Sequence, residues 1–136
     1  MEFLILSTLQ FDMTFPTSNR FLEKYMKLLE NDVAVMQYAQ FLIDLALVDI
    51  RMLQYTPSVL TASAIIFAYK SKAKMSQQTT SAEKVAESFA TKLLGFREGD
   101  LSLCQKELYF LQLGSLKSSL QAVRKKYSSN RYTSIH

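Results

Sequence analysis

Few side chains in this sequence have the type and spacing that chemistry needs. The single histidine is the terminal His136 and the single cysteine is Cys104. A Ser–His or Cys–His pair must hold its base within hydrogen-bond reach of the nucleophile, and a fraying terminus cannot do that. Carboxylates of the kind that share acid–base work occur as helical neighbours. Glu83 and Glu87 lie four apart with Lys84 between them, the pattern of a solvated helix face. Asp44 and Asp49 interrupt an apolar run, and since buried carboxylates need partners, each is expected to face solvent or accept hydrogen bonds. Phosphate cradles need closely spaced glycines after a strand, a spacing that Gly95, Gly99 and Gly114 lack. One Cys and one His are too few for a structural zinc site or an internal disulfide. The expectation is a protein that is not an enzyme and takes no cofactor, metal or small-molecule substrate.

A chain of 136 residues is one domain by length and can bury roughly two thirds of its unfolded surface. Cys104 reads as a small buried hydrophobe, and the absence of a disulfide framework fits a reducing, intracellular compartment. Met1-Glu2-Phe3-Leu4-Ile5-Leu6 carries an acid and no base before a short apolar run, so it does not read as a signal peptide. The strongest apolar stretch, residues 59–69, falls short of the roughly 20 residues of a membrane helix, and no span is expected. The net charge of +4 comes from Lys70, Lys72 and Lys74 and from Lys117, Arg124, Lys125, Lys126 and Arg131. Solvated helix ends account for both clusters. The sharper alternative is a nuclear import signal or a weak nucleic-acid patch; aromatic interleaving is thin there, so base stacking is not expected.

The elements that position these residues are predicted to be helices throughout. Gly and Pro are scarce, at 3 and 2 copies, and apolar residues recur at helical spacing. A short helix is expected over residues 1–9, ending in a turn over 10–15. Pro16 and Thr17 then open a helix whose apolar stripe is Phe21, Leu22, Tyr25, Leu28 and Leu29. Asn31 and Asp32 stop that helix and cap the next, predicted to run from Val33 to Leu53 and to be well buried. Thr56-Pro57 caps and starts a central helix in which Ala62, Ser63 and Ala64 let neighbouring backbones approach. Ser76–Ser81 reads as a polar loop, and Thr80 with Glu83 has capping-box spacing for a helix over 81–94. Asp100 is expected to cap a helix ending before Gly114, and a last helix is expected over 116–127 with a frayed tail behind it.

Two segments carry a resemblance. In the first, Leu9-Gln10-Phe11-Asp12-Met13 is followed by Pro16-Thr17 and then Phe21-Leu22; the second is Tyr55-Thr56-Pro57-Ser58 before a small-residue helix. Together they resemble the second half of an A- or B-type mitotic cyclin. There an apolar helix ends in Leu-x-Phe-Asp-x, a Pro-Thr pair restarts the chain, and Tyr-x-Pro-Ser opens a buried helix. The resemblance covers nearly the whole chain and implies an all-α fold, a single cyclin-box-like bundle of about five helices with a short N-terminal helical stub. By that register residues 1–15 are the end of the first cyclin box and its linker, 16–128 the C-terminal cyclin box, and 129–136 a flexible tail.

The resemblance further implies a non-catalytic regulator of a cyclin-dependent kinase in cell-cycle control, located in nucleus and cytoplasm. Glu2, Leu6, Phe11 and Met13 take positions that face the kinase in the family. Leu6 and Phe11 have a second reading, packing on the chain's own core. The first-box helix that bears the family's substrate-docking patch is missing, as are the Lys that partners the acid at Glu2 and the Trp that many members carry before the fourth helix. A truncated form would expose apolar surface on the stub and the central helix, inviting self-association. A scaffold or interaction module without kinase activation is the alternative function.

Overall fold

The computed structural model describes residues 1–29, 32–76, 84, 88, 89, 95–117 and 121–128. Among these residues every long element is an α-helix: α1 (Glu2–Thr8), α2 (Ser18–Leu28), α3 (Val33–Ala46), α4 (Pro57–Ser76), α5 (Glu98–Lys117) and α6 (Ala122–Tyr127), with a 3-10 turn at Ile50–Gln54 between α3 and α4. Ser76, expected to open a loop, is instead the last residue of α4; residues 77–81 of that loop, the Thr80–Glu83 capping box, most of the expected 81–94 helix and the tail at 129–136 lie outside the described residues.

α4 is the centre of the bundle. Pro57 starts it where a missing N–H costs nothing, and Leu60 through Ile66 are buried without a break. A helix buried all round must meet neighbours on every side, and α4 packs on α2, α3 and α5. The small side chains Ala62, Ser63, Ala64 and Ala68 let those neighbours come close, while Ile65 fills the space between them. Full burial of a side chain such as Ile65, Leu42 or Leu108 contributes about 1.5–3 kcal/mol each.

α2 presents the predicted stripe, with Leu22, Tyr25 and Leu29 buried; Met26 joins them and Leu28 faces outward. Tyr25 meets Phe89 edge-on at 5.8 Å, which ties the described part of the 84–89 region to α2. Asp32 caps α3 as expected, its carboxylate accepting from the N–H of Ala34 and Val35 at 3.1 and 3.4 Å. α6 is held to α3 by Tyr127, whose ring meets Phe41 edge-on at 5.4 Å and whose hydroxyl donates to Asp44 at 2.8 Å. Lys126 donates to the same Asp44 oxygen at 2.6 Å. Both carboxylates that interrupt the apolar run, Asp44 and Asp49, therefore accept hydrogen bonds.

Several boundaries differ from the sequence expectation. The helix predicted to run to Leu53 ends at Ala46, because the Asp49 carboxylate accepts the Arg51 backbone N–H at 2.9 Å and caps a new 3-10 turn. The apolar run then leaves the core, with Leu47, Val48, Ile50 and Leu53 exposed. Gly114, expected to stop its helix, lies inside α5, which continues to Lys117 and shortens the last helix to Ala122–Tyr127. A glycine within a helix costs roughly 1 kcal/mol against alanine. Packing of Leu101, Cys104 and Leu108 into the core carries α5 past that cost. α5 also starts at Glu98, so Asp100 sits in its first turn rather than before it.

Candidate partner interface

Residues 1–15 form a segment that buries almost nothing against the bundle. α1 has no buried residue. Its first-turn acid, Glu2, suits the positive end of the helix dipole, and its carboxylate has no ion-pair partner among the described residues. Glu2 and Leu6 are four apart and so share one helical face; Leu6 is half-buried, the deepest residue of α1. Ser7 and Thr8 turn their hydroxyls back onto the Leu4 carbonyl at 3.1 and 2.7 Å, leaving the apolar side chains as the outward features.

The end of α1 is a double-bonded stop. The N–H of Phe11 donates to the Leu6 carbonyl at 2.9 Å and that of Gln10 to Ser7 at 3.0 Å, the Schellman arrangement. It puts Gln10 and Phe11 in the left-handed region, at φ of 53° and 56°, a conformation that costs a non-glycine residue roughly 1–2 kcal/mol. Asp12 continues the turn. Its N–H reaches the Leu9 carbonyl at 2.9 Å, and its side chain accepts from the N–H of Thr14 at 3.2 Å. Phe11 is 61% and Met13 55% exposed. The reading of Phe11 as a core residue is thus the one that the packing does not support, while Leu6 lies between the two. The backbone bond from Phe11 to Leu6 brings those two residues together; Glu2 lies a turn away on the helix and Met13 beyond the turn.

A second surface was not foreseen. A groove of about 380 Å³ lies between the end of α3, the 3-10 turn, α5 and α6, with Leu45, Val48, Phe110, Leu111 and Val123 among its lining. On its wall Arg51 forms a bidentate pair with Asp49, its Nε–H donating to Oδ1 at 3.1 Å and its Nη2–H to Oδ2 at 2.7 Å. Arg51 and its own backbone N–H hold the Asp49 carboxyl below the usual carboxylate range. The groove exists because α3 stops at Ala46, and the Asp49-x-Arg51 pattern was the signal in the sequence that a new turn starts there.

Cys104 is fully buried, and burial raises its thiol to about 11, so it is a weak nucleophile at neutral pH. The Ser63 hydroxyl lies beside it, fully buried, without a contact that meets hydrogen-bond geometry. Among the described residues no group of His, Cys, Asp and Glu could hold a metal, and no helix is long and apolar enough to cross a membrane.

Comparison with known proteins agrees with this helical arrangement. Residues 16–136 match the family model described as "Cyclin, C-terminal domain". The chain is 33% identical over 132 residues to Cyclin-B2-2 of Arabidopsis thaliana, covering 97% of this chain and 29% of that relative. It is 31% identical over 136 residues to the G2/mitotic-specific cyclin-A of Spisula solidissima, covering 99% of this chain and 30% of the relative. It is also 30% identical over 135 residues to the G2/mitotic-specific cyclin-B of Dictyostelium discoideum. The chain thus spans under a third of the length of these curated relatives.

Proposed function

The chain belongs to the cyclin family by its C-terminal domain, and from that premise we propose that it is a non-catalytic regulator that binds a cyclin-dependent serine/threonine kinase in cell-cycle control. Residues 1–15 are then the end of the first cyclin box and its linker, and 16–128 the second box. The reading is supported above all by one observation: the segment bearing Glu2, Leu6, Phe11 and Met13 holds a defined turn while leaving its apolar side chains outside the core. Residues with no role in the chain's own packing are the ones free to touch a partner. The family relationship favours action in nucleus and cytoplasm, and the exposed Lys125 beside Arg124 and Lys126 suits an import signal.

Such a protein acts by binding one kinase conformer better than another, since a partner with equal affinity for both shifts nothing. Burying Leu6, Phe11 and Met13 would contribute about 1.5–3 kcal/mol each as an upper bound. Association itself costs on the order of 4–15 kcal/mol. These side chains alone leave at most about 5 kcal/mol, a Kd of roughly 0.2 mM, so binding at tens of micromolar draws on further contacts from the bundle.

Co-purification of the chain with a cyclin-dependent kinase tests the proposal. Retention is expected, and Phe11→Ala with Met13→Ala should weaken it without loss of helix content. No binding at roughly tens of micromolar protein would contradict it. A second reading, a scaffold that binds without activating, is favoured by the large exposed apolar surface. Retention of the kinase with no rise in its phosphoryl-transfer rate would support that reading.

A further inference from the structure

We propose that α5 pairs antiparallel with α5 of a second copy of this chain, through the helix face opposite the core. α5 is apolar on two sides. Leu101, Cys104 and Leu108 pack into the bundle, while the far side carries Gly99, Leu103, Lys106, Phe110, Leu113 and Lys117, all exposed. Their spacing alternates four, three, four, three, four, the 3.5-residue period of a coiled-coil seam. A surface helix with one face on a core carries charged and polar residues opposite it. Here that position holds Leu103, Phe110 and Leu113, and exposed apolar side chains in one patch mark an interaction site. Pairing through this face requires neither a kinase nor residues 1–15.

The seam is its own complement, which selects a second copy as the occupant. Turned antiparallel about a two-fold level with Leu108, it sets Leu103 against Leu113 of the other copy and Lys106 against that copy's Phe110, where an ammonium over an aromatic face is attractive. α5 begins with the acids Glu98 and Asp100 and ends in Lys117, so the acidic end of each helix lies beside the basic end of the other. Asp100 and Lys117 are exposed and enter no ion pair among the described residues. A parallel pair would instead place Lys106 against Lys106 and like ends together. A single lysine in such a seam fixes register at a cost in stability. Each copy offers the same face, and the two-fold closes the assembly at a dimer.

Sedimentation velocity on the full chain, with no kinase present, tests this at roughly 10–100 μM. The parent is expected to be a dimer, and Phe110→Glu with Leu113→Glu should dimerise at least about tenfold more weakly. Both positions are exposed, so circular dichroism should remain that of the parent. Orientation is read by oxidising an equimolar mixture of Leu103→Cys and Leu113→Cys chains; Cys104 is buried and does not compete. The antiparallel pair sets 103 opposite 113 and leaves 103–103 and 113–113 about 15 Å apart along the helix, beyond the reach of a disulfide. The mixed disulfide should therefore predominate. A monomeric parent would overturn the proposal, as would a Phe110→Glu, Leu113→Glu chain that dimerises like the parent, or disulfides that join like positions as readily as unlike ones. The same double variant should keep its kinase binding, so the two readings fail independently.

Discussion

Thr61 shows how one hydroxyl can fix the start of the bundle. Fully buried, its Oγ1 donates towards the Pro57 carbonyl at 2.7 Å and the Ser18 carbonyl at 3.1 Å, linking α4 to the first residue of α2. Thr61→Val keeps the shape and removes the donor, leaving the Ser18 carbonyl without this partner. A loss of about 1–2 kcal/mol is expected, read as a lower urea midpoint at unchanged slope. Two carboxylates set the acid limit. At Asp32, partial burial opposes ionisation, but bonds from Lys72 and from the N–H of Val35 and Ala34 outweigh it and lower the pKa; at Asp49 the Arg51 bonds dominate in the same direction. Depressed folded values mean stability that is present above the unfolded carboxylate pKa of about 3.9 and is lost as pH falls below it, through the folded values. Urea unfolding followed against pH should therefore show a drop below about pH 4, and Asp32→Asn, which can still cap, should make that drop shallower. Asp32 was legible in the sequence as a cap. The left-handed pair Gln10–Phe11 was not, because neither residue is the Gly or Asn that advertises such a turn.

At the scale of elements, the helices that face the core were readable and their ends were less so. The α2 stripe and the Pro57 start follow from spacing and from one ring, both local properties. The break of α3 follows from a competition. Leu47, Val48, Ile50 and Leu53 continue the apolar run, yet the Asp49 carboxylate offers the backbone another partner and the chain turns out of the helix. Gly114 is the converse case, a residue that favours a stop inside a helix whose packing carries it through. A Cβ built there meets nothing within 4 Å. Gly114→Ala should accordingly stabilise the chain by roughly 0.5–1 kcal/mol, measured as a higher thermal midpoint. No change or a loss would show that this glycine serves something other than the helix.

For the whole molecule, the division of labour is between a buried centre and an unburied leading segment. α4 and its neighbours share one buried core. α1, of 7 residues, is too short to be a stable helix by itself in water, where about 12–15 residues are marginal, and it gains little from the bundle. Family membership was legible from Leu9 to Met13, Pro16-Thr17 and Tyr55 to Ser58, because those residues form turns and helix starts whose chemistry is local. The groove was not, since it needs α3, α5 and α6 brought together. Amide hydrogen exchange of the chain, with and without a cyclin-dependent kinase, tests the central proposal most directly. Without kinase residues 2–13 should exchange quickly while α4 is protected; with kinase at roughly tens of micromolar, slowed exchange is expected at residues 2–13. Unchanged exchange across that segment, or protection confined to other faces of the bundle, would contradict it.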